Sequence, residues 1–170
     1  MKKCVLVCLI ALFVCCAAFG HAETETEPVD VMPLIGLHWG DSPDIVGRII
    51  RSELEPDMNK SVKNETVYVL HVQEGLDLEF AFTVRQDGSE HLVSILYRYY
   101  NVDENVYPAV VAAITAEFGE HMGYSLEGDP RGCSWWYDYQ HQYIIITESE
   151  STDGSGLRTV CVIFVGQADP

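Results

Sequence analysis

Leu76-Asp77-Leu78-Glu79-Phe80-Ala81-Phe82-Thr83-Val84 is the stretch that decides the fold. Leu76, Leu78, Phe80, Phe82 and Val84 fall on one side of an extended chain, and Asp77, Glu79, Thr83 and Arg85 fall on the other. Period-two alternation of this length predicts a strand with one face in a core and the other toward water. Gln86-Asp87-Gly88-Ser89 follows, with its glycine placed for a hairpin turn into a strand at 91–100. A further strand is predicted just upstream, at 66–72.

Working outward, Trp39-Gly40-Asp41-Ser42-Pro43 opens a helix. Ser42 caps it, and Pro43 sits in the first turn, where no N–H is needed. Ile45, Val46, Ile49 and Ile50 form its apolar stripe. Downstream of the strands, Tyr107, Val110, Val111, Ile114 and Phe118 share one face of a second helix, with Pro108 in its first turn and Gly119 as its stop. Three more strands are predicted at 133–139, 142–148 and 157–165, with 151–156 turning the last pair. The fold class expected from this order is α+β. Two helix-plus-three-strand units, with candidate repeats 38–100 and 103–166, form a two-layer sandwich: a mostly antiparallel six-stranded sheet with helices on one face.

The amino terminus reads as an address. Met1-Lys2-Lys3, an apolar run of 15 residues from Val5 to Phe19, and Gly20-His21-Ala22 have the layout of a cleavable signal peptide over 1–22. The run is shorter than the roughly 20 residues a spanning helix needs. Cys15 and Cys16 lack the small residue that precedes a lipid-modified cysteine, so no stable membrane anchor is expected. Cleavage after Ala22 leaves an acidic leader at 23–33, too polar to bury, and a single domain at 34–167. The whole chain has a formal charge of −16; without 1–22 it keeps eight Lys and Arg against 26 Asp and Glu, or −18. Such a surface repels phosphate backbones and anionic lipids, which disfavours nucleic acid and the membrane surface as partners. A secreted or periplasmic location follows, and the short lysine-led signal is of a bacterial type. The patterns Asn59-Lys60-Ser61 and Asn64-Glu65-Thr66 match glycosylation sequons and read as coincidence in that setting.

Two cysteines remain, Cys133 and Cys161. Export makes a disulfide the default, yet in a plain meander they lie two strand spacings, about 9.5 Å, apart, beyond the roughly 7 Å a bridge tolerates. Either Cys133 sits in a bend that folds back, or both thiols are free.

No motif assigns a reaction. The histidines His38, His71, His91, His121 and His141 have no metal-ligand spacing, and His71 with Glu74 reads as ordinary surface. Gly154-Ser155-Gly156 is a turn and not a nucleophile elbow. Acid pairs such as Glu117 with Glu120 are expected among 26 carboxylates. No catalytic residue, metal site or cofactor is therefore expected.

Aromatic residues crowd into three of the strands. Trp135 and Trp136 are adjacent, so they point to opposite faces, and only one can lie under the helices. The other, with Tyr100, Arg98 and Tyr137, forms the candidate binding patch on the helix-free face. Aromatics on a sheet also stabilise cross-strand pairs without binding anything. The reading favoured is a non-enzymatic protein- or peptide-binding module with an envelope or extracellular partner. The alternatives are a small-ligand carrier or sensor with a pocket between helices and sheet, and a secreted hydrolase with a site outside known motifs. Oligomeric state is not legible.

Gly40-Asp41-Ser42-Pro43-Asp44-Ile45-Val46 resembles the Gly-x-Thr/Ser-x-acidic-x-Val helix opening of small bacterial envelope domains. These include the small lipoprotein of the outer-membrane barrel-assembly machinery, and secreted β-lactamase inhibitor proteins have a similar architecture. The resemblance implies a non-enzymatic protein-binding domain and carries over no functional residue.

Overall fold

The computed structural model describes residues 32–120, 125–126, 131–137, 142–151 and 155–167. The expected signal at 1–22, the leader as far as 31, and His121 and His141 lie outside the described residues. Helix α1 spans Pro43–Ile50, followed by strands β1 (Glu55–Pro56), β2 (Glu65–Gln73), β3 (Leu76–Val84) and β4 (Glu90–Val102). Helix α2 spans Val106–Phe118 and leads to β5 (Ser125–Leu126), β6 (Arg131–Tyr137), β7 (Gln142–Glu150) and β8 (Arg158–Val165). All eight strands join one sheet in the order β1-β2-β3-β4-β8-β7-β6-β5. Every neighbouring pair is antiparallel.

This corrects the expected fold class. The chain does not build a two-layer α+β sandwich from two helix-plus-three-strand units on six strands. It builds one mostly-β sheet of eight strands, joined through its middle by the β4–β8 pairing, with two short helices. Size explains the difference. Eight strands are about 34 Å across, whereas helices of eight and thirteen residues are only about 12 and 20 Å long. Two such helices cannot form a covering layer. In α1 the expected stripe is also split, because Val46 is buried while Ile45 and Ile49 stay exposed.

The local signals have clear physical outcomes. The Ser42 hydroxyl accepts from the Ile45 N–H, and α1 ends at Arg51, whose φ of 56° closes the helix. Gly88, with φ 83°, supplies the left-handed position in the β3–β4 turn. Gly119 ends α2, its N–H bonding the Thr115 carbonyl.

The core follows one line of register. Tyr68, Phe80, Ile95, Phe164, Ile144 and Trp135 stand opposite one another from β2 to β6. All but the half-buried Tyr68 are buried, and Leu37, Val46 and Ile114 close over this side. Each fully buried Phe or Ile contributes roughly 1.5–3 kcal/mol. Leu78 and Phe82 lie on the same side, so the alternation of β3 aims as its residues predict. Trp39 packs flat on the Gly166 backbone, where any added Cβ would overlap the indole.

Candidate binding face

The opposite face of the sheet follows from the same register. One row runs Val67, Ala81, Ser94, Val165, Tyr143, Trp136, and the next runs Val69, Glu79, Leu96, Ile163, Ile145, Ser134. A third row contains His71, Asp77, Arg98, Cys161 and Thr147. Both helices lie on the other side, so neither covers these rows. Leu96, Ile145, Ile163, Val165 and Tyr143 are half-buried and neighbour one another in register, which makes an apolar band on this face.

The tryptophans part as their adjacency requires. Trp135 is 1% exposed, and its indole N–H donates to the Gly119 carbonyl at 2.8 Å, tying β6 to the end of α2. It is a core residue and leaves the candidate patch. Trp136 is 52% exposed. It stacks on Tyr143 with ring centroids 5.6 Å apart and planes at 22°, while its N–H donates to the Ser134 hydroxyl at 2.9 Å. Two contacts therefore hold a large indole in place at the surface.

Arg98 and Tyr100 reach the same face but do not join Trp136. Three strand spacings, about 14 Å, separate β4 from β6, and Arg98 and Trp136 lie in different rows. Arg98 instead belongs to an ionic corner. Its Nε donates to Glu79 Oε1 at 2.7 Å, and Lys60 Nζ donates to the same oxygen at 2.7 Å. Burial pushes the Glu79 carboxyl up, but the bonds from Arg98 and Lys60 outweigh it and hold it below the usual carboxylate range. Beside it, His71 Nδ1 donates to Asp77 Oδ1 at 2.6 Å. The Tyr100 hydroxyl is pushed up by burial first, and its hydrogen bond to Asp77 adds to that. The side chain of Tyr137 lies outside the described residues.

Cys133 and Cys161 are free thiols. Cys133 stands opposite Ile146 and Cys161 opposite Thr147, adjacent residues of β7, so the two thiols point to opposite faces. The bridge alternative therefore fails, because the sheet itself lies between them. Burial pushes both thiols up, away from nucleophilic character.

A second ionic group sits on the helix side. Arg131 and Arg158 both donate to Glu148 Oε2, the side chain of Glu148 is fully buried, and its Oε1 has no hydrogen-bond partner. The Arg131 guanidinium lies 4.5 Å over the Tyr107 ring. Among the described residues no three His, Cys, Asp or Glu side chains come together as a metal site. No helix among them is long and apolar enough to cross a membrane.

Sequence reasoning passed over Lys60, Glu79 and Asp77 as site residues and did not place Ile145, Ile163 and Leu96 on the open face. Glu79 had a signal, since its parity in β3 puts a carboxylate opposite the core side. Its partners come from another strand and a loop, and only register reveals them.

No family model matches the chain, and neither a curated protein nor a solved structure proves similar to it.

Proposed function

We propose that this is a secreted or periplasmic, non-enzymatic module that binds a protein or peptide on the helix-free face of its sheet. The observation that carries the reading is Trp136, a half-exposed indole fixed by Tyr143 and Ser134 at the edge of an apolar band. A preorganised aromatic anchor beside apolar surface is the usual composition of an interface hot spot, because little side-chain entropy is lost when it docks. The interior supports the same choice over a ligand pocket: the space under the helices is occupied by Phe80, Phe82, Leu92, Ile95, Ile144, Trp135 and Phe164.

The test is a photo-crosslinking residue at Ser94, on the open face, compared with one at the exposed Ala112 of α2. With the extracellular or envelope fraction of the source organism, Ser94 should yield a discrete adduct and Ala112 none. Trp136→Ala should abolish the Ser94 adduct. An adduct from Ala112 alone would overturn the assignment.

A further inference from the structure

We infer that His91 is a proton-dependent fastener: with both ring nitrogens protonated it ties the β3–β4 turn to the segment that enters α1, and a neutral ring must give up one bond of that tie.

Hydrogen-bond geometry sets the proton count. Ser89 Oγ lies 2.6 Å from Asp87 Oδ1 and 2.9 Å from His91 Nε2, and His91 Nδ1 lies 3.0 Å from the Gly40 carbonyl oxygen. A carbonyl oxygen only accepts, so Nδ1 donates to Gly40. A carboxylate also only accepts, so the single hydroxyl proton of Ser89 goes to Asp87. The Ser89 N–H donates to the same Asp87 oxygen at 2.9 Å. These two bonds, the hydroxyl's first, hold the Asp87 carboxyl below the usual carboxylate range, so it has no proton to return. The contact between Ser89 Oγ and His91 is then a bond in which Nε2 donates. Both ring nitrogens carry protons, and the ring is a cation. Turning the ring over would set carbon atoms against both acceptors, so the contacts themselves identify the nitrogens.

A neutral imidazole has one N–H for the same two acceptors. Either Nδ1 keeps Gly40 and the Ser89 hydroxyl turns from Asp87 to Nε2, or Nε2 keeps Ser89 and the Gly40 carbonyl loses its donor. Ser89 and His91 have the spacing of a nucleophile and its base, but a ring protonated at Nε2 cannot take the hydroxyl proton. The pair is a fastener and not a catalytic dyad.

The fastened segment closes part of the core. The Gly40 N–H donates to the Leu92 carbonyl and the Leu92 N–H to the Asp41 carbonyl, so residues 40 and 41 run beside β4 beyond the end of β8. Just ahead of them, Leu37 is 2% exposed and Trp39 covers the Gly166 backbone. Other charged groups around the ring have their own partners or stand apart. Asp41 Oδ2 accepts the His38 N–H at 2.8 Å, with the exposed His38 ring beside it, and Glu90 accepts the Tyr68 hydroxyl at 2.9 Å. Glu65 shares a row with His91 through Thr83 but lies two strands, about 9.5 Å, away. Arg85 acts on Asp87. Of these groups Asp87 alone is joined to the ring, through Ser89.

Bonds that need the second ring proton stabilise the fold while it is bound and cease once it leaves. Their contribution is present in mild acid and is lost as the pH rises through the histidine range. The test is urea unfolding of the native protein and of His91→Gln at about pH 5.5 and about pH 8.5, on either side of that range. His91→Gln should lower the urea midpoint at least about twice as far at the lower pH. Ser89→Ala removes the acceptor of Nε2, and in its background His91→Gln should lower the midpoint equally at both pH values. An equal loss at both pH values in the native background, or a pH-dependent loss that persists without Ser89, overturns the inference. A second measurement needs no variant. In nitrogen-proton correlation spectra at the lower pH, both ring nitrogens of His91 should show protons slow enough in exchange to be seen; a ring with only one such proton contradicts the fastener.

Discussion

Two adjacent tryptophans and two glutamates divide between the faces of one sheet, and their contrast separates architecture from function. On the helix side Trp135 is packed among Phe164, Ile144 and α2, and Glu148 is sealed beneath Arg131 and Arg158 with one oxygen left unpartnered. On the open side Trp136 stands half in solvent, and Glu79 lies just under cations that reach water. The same residue types are used to close one face and to furnish the other. A core indole is fixed by burial; the open-face indole is fixed by a ring stack and one hydrogen bond, which leaves its outer surface available.

The largest effect expected from this contrast is in the tryptophans. Trp135→Ala should lower the unfolding free energy in urea by about 4 kcal/mol, the range for emptying an aromatic site in a core. Trp136→Ala should cost less than about 1 kcal/mol, as one cross-strand pair is worth. Equal losses would erase the distinction between the faces. The glutamates should follow at smaller scale. Glu148→Ala leaves two guanidinium groups around a void and should cost about 3 kcal/mol, whereas Glu79→Ala, whose cations can turn to water, should cost about half as much.

Acid sharpens the comparison further. The folded-state value of the Glu79 carboxyl lies below its unfolded value, so its ion group contributes stability at neutral pH. That contribution is present above about pH 4.5 and is lost as the pH falls through the folded value. The gap in unfolding free energy between the native protein and Glu79→Gln should therefore narrow between pH 6 and pH 3; a constant gap would show that the ion group is not formed. The smallest effect concerns the thiols. Because Cys133 and Cys161 face away from each other, reductant should leave the urea midpoint of the chain from residue 23 unchanged, and thiol titration in denaturant should count two thiols with or without prior reduction.

How far these features could be read from residues alone depended on whether they were local. The Ser42 cap and the Gly88 turn are each decided within a few positions, and the structure has both; β3 keeps the parity its residues set, but Glu79, on the side expected toward water, is buried. The extent of the sheet was not legible, since β1 and β5 are two-residue strands defined only by their partners. The phase of β7 and β8 was equally hidden. Tyr143-Ile144-Ile145-Ile146 and Val160-Cys161-Val162-Ile163-Phe164-Val165 are apolar at both parities, and only a row of register partners shows which residues enter the core. Adjacency showed that Trp135 and Trp136 part company, but not which one faces the helices. Register puts Arg98 on the outer face but two intervening strands away from β6, a separation from Trp136 that the residue pattern does not carry.

The central claim is that Trp136 anchors a partner without supporting the fold. It is tested most directly by measuring the dissociation constant of the protein crosslinked through Ser94 for the native chain and for Trp136→Ala, with both melting curves recorded alongside. A hot-spot aromatic predicts at least a thirtyfold weakening, about 2 kcal/mol, with melting temperatures within about 3 °C of each other. Unchanged affinity in a folded Trp136→Ala protein would contradict the account.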